Sequence, residues 1–312
     1  MFKMEVSISL KLKKICSAAI IFSLLAGTVV GCQPQFHPGT YTDDLGRQVD
    51  INKVPERIVS FGPSITEILF ALGLEDKVVG VSDFCDYPEA AKSKEKIGNA
   101  FSPSIEKVVA LEPDLVVTVE HEQFNSDLDS LGITFLVLSP GDVRSIVDSI
   151  SLAAEVTGKA KEGRQLVEDM EATISRVADR VEDAPKVKVF FIVDATDPNS
   201  PWTAGPGSFI DDIINMAGGE NVAAGTAGAW VQISTEEIVN SDPDIIIIQT
   251  MMGGIPTVAK EVLEEHLVWK QMTAVKQDRI YFIDGDIVSR PGPRIVRGLE
   301  EMARIIHPEL FE

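Results

Sequence analysis

A stretch of fourteen residues occurs twice in this chain, and the duplication restricts the possible folds more than any other feature. SIEKVVALEPDLVV (104–117) aligns without a gap on STEEIVNSDPDIII (234–247), at an offset of 130, with Ser, Glu, Val, Pro and Asp at matching places. Each copy reads as a short helix, a Pro-Asp turn and a buried strand. Pro113 and Pro243 end the helices because proline offers no N–H to continue them. Two copies of one unit predict two lobes of like architecture.

The rest of the chain fits that division. Short apolar runs alternate with helical patterns, which is the mark of α/β units. In the first half the runs are RIVSF (57–61), VVGVS (78–82), LVVTV (115–119) and FLVL (135–138), with a helix near 144–156. Ser64 and Glu67 have capping-box spacing at the head of the helix SITEILFALG. The second half restarts with KVFFIV (188–193), a helix from about Ser208 to Ala217, IIIIQ (245–249), a helix across 257–267 and IYFI (280–283). A last helix over 293–306 is expected to begin at Pro293, because the first helical position needs no N–H. The runs barely alternate, as parallel strands covered on both faces should not. Between the halves, Leu166, Met170, Ile174, Val177 and Val181 recur at steps of four, four, three and four. That spacing predicts one apolar face on a long helix, a rigid spacer between the lobes. The expected fold class is α/β, two lobes each with a mainly parallel sheet flanked by helices, joined by that helix, with a ligand cleft between them. The expected divisions are a leader at 1–31, a tether and lead-in at 32–54, an N-terminal lobe at 55–157, an interlobe helix at 158–183 and a C-terminal lobe at 184–312.

Residues 1–31 stand apart from this pattern. Lys11, Lys13 and Lys14 precede the apolar run Ile15 to Val30, which has the make-up of a secretory signal peptide. The following V-V-G-C resembles the bacterial lipobox. That resemblance implies lipidation of Cys32 and an extracytoplasmic protein tethered to the cell envelope, at the outer face of the cytoplasmic membrane or in the periplasm, with several acyl chains holding it firmly. Removing the leader takes away Lys3, Lys11, Lys13, Lys14 and Glu5, leaving 24 basic against 47 acidic residues. A surface that acidic argues against a protein that grips nucleic-acid phosphates or anionic lipid through a basic face.

Signatures of catalysis are missing. There is no G-x-G-x-x-G, no G-x-x-x-x-G-K-[ST], no H-E-x-x-H and no G-x-S-x-G in the sequence. His37, His121, His266 and His307 are widely spaced, so no zinc-ligand pattern emerges and no intrinsic cofactor is expected. In α/β folds, ligands bind beyond the carboxyl ends of the strands. The segments expected there are 62–66, 83–87, 120–122, 194–202 and 284–294, with 99–101 and 228–230 on the same rim. They supply Phe84, Tyr87, Phe101, Trp202 and Trp230 beside Asp83, Asp286 and Arg290. His121 is open between a polar contact and a metal ligand, Cys85 reads as a small buried hydrophobe, and Arg294 as a structural brace.

ERIVSFGPSITEILFALG (56–73), VVGVSDFCDYP (78–88), the two repeat copies, TAGPGSFIDDIINMAGGENVA (203–223) and SRPGPRI (289–295) together resemble the substrate-binding proteins of ABC importers for cobalamin, ferric siderophores and haem. The cobalamin-binding members are the nearest in pattern. The resemblance spans nearly all of residues 55–307 and implies a monomeric, non-enzymatic carrier that delivers its cargo to a permease dimer with ATPase subunits. It implies that Glu106 and Glu236, one on each lobe, meet arginines of the permease. It also implies that Phe84, Trp230, Asp286 and Arg290 touch the cargo. Ala100 and Val119 stand where those relatives carry tryptophans, which leaves Phe101 and Trp202 as substitute aromatic planes. A ferric siderophore, haem or another metal chelate is the alternative cargo, and a lipid-anchored hydrolase is the alternative of another class.

Overall fold

The computed structural model describes residues 36–251 and 254–311. The leader and Cys32 lie outside them. Among the described residues, no helix is long and apolar enough to cross a membrane.

The chain enters through a hairpin, β1 (Gly39–Thr42) and β2 (Gln48–Ile51). Part of the expected lead-in is thus folded onto the N-terminal lobe. Asp43 in the hairpin turn is buried, accepts from the Arg47 side chain at 2.9 Å, and takes the Val137 N–H at 3.2 Å. The N-terminal lobe then runs β3 (Ile58–Phe61), α1 (Pro63–Ala71), β4 (Val78–Val81), β5 (Glu95–Lys96), β6 (Gly98–Asn99), β7 (Ser102–Pro103), α2 (Ile105–Ala110), β8 (Leu115–Thr118), α3 (Glu122–Ser130), β9 (Phe135–Val137) and α4 (Val143–Val156). Its sheet has the order β5-β4-β3-β8-β9 and every pairing is parallel.

Helix α5 (Ala160–Val181) follows, 22 residues or about 33 Å long at 1.5 Å per residue. The spaced apolar residues do face inward: Met170, Val177 and Val181 are buried, and Leu166 and Ile174 pack on the core. The C-terminal lobe contains β10 (Val187–Ile192), β11 (Trp202–Ala204), α6 (Phe209–Met216), β12 (Gly219–Asn221), β13 (Trp230–Gln232), α7 (Thr235–Ser241), β14 (Ile245–Met251), β15 (Ile255–Pro256), α8 (Lys260–Glu265), α9 (Thr273–Lys276), β16 (Ile280–Asp284), α10 (Gly285–Val288) and α11 (Ile295–Ile306). Strands β12, β10, β14 and β16 form a parallel sheet, with short β15 antiparallel to the end of β14.

The sequence repeat is a repeat in three dimensions. Ser104 and Ser234 both cap their helices, accepting the N–H of Lys107 and Glu237. Glu112 and Asp242 both take positive φ, 46° and 42°, where each helix gives way to its Pro-Asp turn. Asp114 N–H donates to Arg57 O and Asp244 N–H to Lys188 O, both at 2.9 Å, stitching equivalent strands together. Side chains alternate between faces of each sheet. Val59, Phe61 and Val116 enter a cluster private to the N-terminal lobe, and Phe190, Ile192, Ile246 and Ile248 one private to the C-terminal lobe. Ile58, Leu115, Val189 and Ile245 instead join a single core that continues through α5 and α11.

Two helix starts differ from expectation. Helix α1 is capped by Gly62, at φ 147°, with Pro63 in the first turn. Ser64 lies inside the helix, so the capping box with Glu67 does not form, and the Glu67 carboxylate serves elsewhere. Helix α11 begins at Ile295, two residues beyond Pro293. Its entry is closed by short-range bonds, Ile295 N–H to Gly292 O and Arg297 N–H to Arg294 O.

Candidate ligand-binding site

The carboxyl ends of the two sheets meet. Loop 284–294, which follows β16, reaches across to α1 and to the loop after β4. Gly292 is pressed so closely on α1 that a Cβ there would lie 3.3 Å from Ser64 O. Beside it, Arg290 Nη1 donates to Asp86 Oδ1 at 2.8 Å and to Glu67 Oε1 at 3.2 Å, both in the opposite lobe. Its Nη2 pairs with Asp286 Oδ1 at 2.8 Å, one turn back in its own lobe. Arg294 completes the cluster, with Nε and Nη2 at 2.8 and 2.7 Å from the two oxygens of Glu67. Its guanidinium also lies over the Tyr87 ring, 4.1 Å from the centroid. Glu67 is 3% exposed and Arg290 8%.

Proton affinities reflect this crowding. Burial pushes the Asp86 carboxyl upward, but the hydrogen bond and charge of Arg290 outweigh it and leave the group below its ordinary value. Burial raises Asp286, with added repulsion from Asp86 and Asp284 that Arg290 only partly offsets. Burial works against the charge on Arg290, yet Asp86, Asp286 and Glu67 together hold it above the usual arginine value.

Aromatic side chains edge the same loops. Strands β11 and β13 form a two-stranded ribbon in the register Trp202↔Gln232 and Ala204↔Trp230. Because side chains alternate along a strand, that register puts Trp202 and Trp230 diagonally on one face. They are 42% and 45% exposed, and the Trp230 ring is braced edge-on against Phe209 at 5.6 Å. The N-terminal lobe carries the matching ribbon, β6 with β7, and its turn presents Phe101 almost entirely to solvent. Phe84, after β4, is half-exposed. Met251 and Ile255, at the end of β14 and on β15, are exposed apolar residues that the sequence reading passed over.

The residues singled out from sequence thus fall into groups. Asp286 and Arg290 are brought together, bonded to each other. Trp202 and Trp230 share a face of one ribbon. Phe84 and Phe101 sit on separate loops of the N-terminal lobe. Glu106 and Glu236 are exposed in the first turns of α2 and α7, on opposite lobes. His121 is a helix cap: Nδ1 accepts the Phe124 N–H at 3.1 Å and Nε2 lies 2.9 Å from Ala100 O, so both ring nitrogens are engaged. Cys85 is buried, its sulfur 3.1 Å from the hydroxyls of Thr66 and Ser82. Arg294 braces structure as expected. Among the described residues, no three His, Cys, Asp or Glu side chains converge as a metal-ion site.

Glu67 and Asp86 went unrecognised as partners of Arg290. A usable signal existed for Glu67: it is the one charged residue in the otherwise apolar and small-polar helix SITEILFALG, and a buried carboxylate requires a cation.

Comparison with known proteins adds to this geometry. A family model described as periplasmic binding protein matches residues 58–287. An uncharacterized ABC transporter substrate-binding lipoprotein of Bacillus subtilis, YvrC, is 36% identical over 283 residues, covering 88% of this chain and 87% of that one. A cobalamin-binding protein of Halobacterium salinarum is 28% identical, covering 94% and 83%. The crystal structure of a possible iron-binding (periplasmic solute-binding) protein from Staphylococcus epidermidis matches with a TM-score of 0.70 at 29% identity, covering 82% of this chain and all of that one.

Proposed function

The chain belongs to the periplasmic binding protein family, a family of non-catalytic solute-binding proteins, and from that premise we propose that it captures cobalamin or a related corrinoid between its lobes for delivery to an ABC-importer permease. The coarser role, a substrate-binding component of an ABC importer acting outside the cytoplasm, follows from the family and its relatives. The cargo is our reading. The observation that carries it is the pair of half-exposed tryptophans on one face of the β11–β13 ribbon, with Phe84 and Phe101 on the other lobe. Aromatic side chains left open to water in this way suit a large flat ligand whose apolar faces they cover. The cobalamin-binding relative from Halobacterium salinarum supports the same choice. An iron chelate or haem is the second reading, favoured by the iron-binding relative from Staphylococcus epidermidis.

In this reading Phe84, Phe101, Trp202 and Trp230 pack on the macrocycle, and Asp286 and Arg290 set the polar edge of the site. Glu106 and Glu236 dock the loaded protein on the permease. Each lies in the first turn of its helix, where a carboxylate is favoured by the positive end of the helix dipole. In the second copy Glu237 is occupied by the capping box with Ser234, which leaves Glu236 the outward carboxylate. Cys32 carries the lipid anchor, and the protein works as a monomer.

Calorimetric titration of residues 33–312 with cyanocobalamin tests the cargo. One-to-one binding at micromolar affinity or tighter, about −8 kcal/mol or better, is the expected result, and Trp230→Ala should weaken it by about tenfold. Absence of heat at two temperatures, with haemin or a ferric siderophore bound instead, would overturn the corrinoid assignment and leave the importer role standing.

A further inference from the structure

Apart from Lys92 and Lys94 in the loop after β4, which are engaged by the Glu89 carboxylate and the Glu75 carbonyl, the site loops carry two basic side chains, Arg290 and Arg294. Both are already committed. Three carboxylates, from Glu67, Asp86 and Asp286, surround the two guanidiniums. Asp86 and Asp286 remain 35% and 28% exposed at the side chain, whereas Arg290 is 10% exposed. What the cluster exposes where the lobes meet is therefore acceptor oxygen more than guanidinium. Asp83, Glu120, Asp194 and Asp284 add negative charge in the same loops. His121 has both ring nitrogens engaged, by the Phe124 N–H and the Ala100 carbonyl.

A carboxylate brought into this space meets like charge at short range, in a partly desolvated setting where salt screens poorly. An uncharged ligand rich in N–H or O–H donors meets acceptors. We propose that Asp86 and Asp286, by holding Arg290 as a tie between the lobes, make the cleft a charge filter that admits uncharged, amide- or hydroxamate-bearing metal chelates and refuses polycarboxylate ones. This rests on the reading of the interlobe cleft as the cargo site, and it deepens that reading by fixing the chemical class of the cargo. It also gives Arg290 a different task from meeting an anionic ligand. The arginine acts through its two aspartates, as a positioning residue.

The test titrates the wild-type protein and the double variant Asp86→Asn/Asp286→Asn with four probes: cyanocobalamin, an uncharged ferric trihydroxamate, haemin with its two propionates, and ferric citrate. Wild-type protein should bind an uncharged probe at least 100-fold more tightly than either anionic one. In the double variant Arg290 is released from two of its three carboxylates, and the ratio of haemin to cyanocobalamin affinity should rise at least tenfold. Thermal melts establish that the variant is folded; if it is not, Asp286→Asn alone should shift the ratio in the same direction. Binding of the trihydroxamate without cobalamin would sink the corrinoid assignment and uphold the filter. Haemin or ferric citrate as the tightest wild-type ligand, or a folded variant with an unchanged ratio, would overturn the filter and leave the transport role intact. A chain that binds none of the four in either form would remove both.

Discussion

Glu67 is the residue on which the meeting of the lobes turns. It accepts from Arg290 and, through both oxygens, from Arg294, more than 220 positions away in sequence. A buried ion cluster gives little net stability over an apolar replacement, but removing one member leaves the others charged and unpaired. Glu67→Ala should therefore cost about 3–5 kcal/mol in urea unfolding, and Glu67→Gln less, because the amide oxygen still accepts. A loss below about 1 kcal/mol for the alanine variant would show that the guanidiniums find other partners. Arg290, Asp286 and the tryptophans were legible as residues of one rim, because strand order alone places their loops there. The pairing was not legible. Local sequence gives Glu67 a capping role next to Ser64, and nothing nearby shows that Gly62 and Pro63 start the helix earlier and free the carboxylate for a partner in the other lobe.

Among elements, the repeated helices α2 and α7 make the clearest comparison. Ser104 and Ser234 occupy the same cap, yet only Ser234 is held by a full capping box, through Glu237, where the first copy has Lys107. Ser104→Ala and Ser234→Ala should each cost about 1 kcal/mol, with the larger loss at Ser234 where two orphan N–H groups depend on the box. Chemical denaturation of the two single variants measures this, and equal neutrality would mean that tertiary packing alone holds these short helices. Periodicity found the buried strands β3, β4, β8, β9, β10, β14 and β16 and the long helix α5 because their apolar faces are continuous, but not the β1–β2 hairpin or the short ribbons β6–β7 and β11–β13. It missed α3 (Glu122–Ser130), a polar helix that buries little beyond Phe124 and Leu128 and whose cap is a histidine. It also misplaced the start of α11, where contact between Gly292 and α1 shapes the entry more than the preference of Pro293.

For the whole molecule, the two lobes share one apolar core through α5 and α11, and the ion cluster ties them a second time. Such a body presents its two exposed first-turn glutamates at a fixed relation, as docking on a two-subunit permease requires. Glu106→Arg with Glu236→Arg should abolish transport in reconstituted vesicles while cargo affinity stays within about twofold; undiminished transport would refute the docking role. The duplication at an offset of 130, the parallel sheets and the rigid spacer were determined by sequence alone, since each follows from periodic burial and local turn chemistry. The tertiary structure alone decided how charge is disposed where the lobes meet. Whether an arginine is free to bind a ligand depends on which carboxylates folding brings to it: Asp286 stands one turn away in the sequence, but Asp86 and Glu67 come from the opposite lobe and share no local pattern with Arg290.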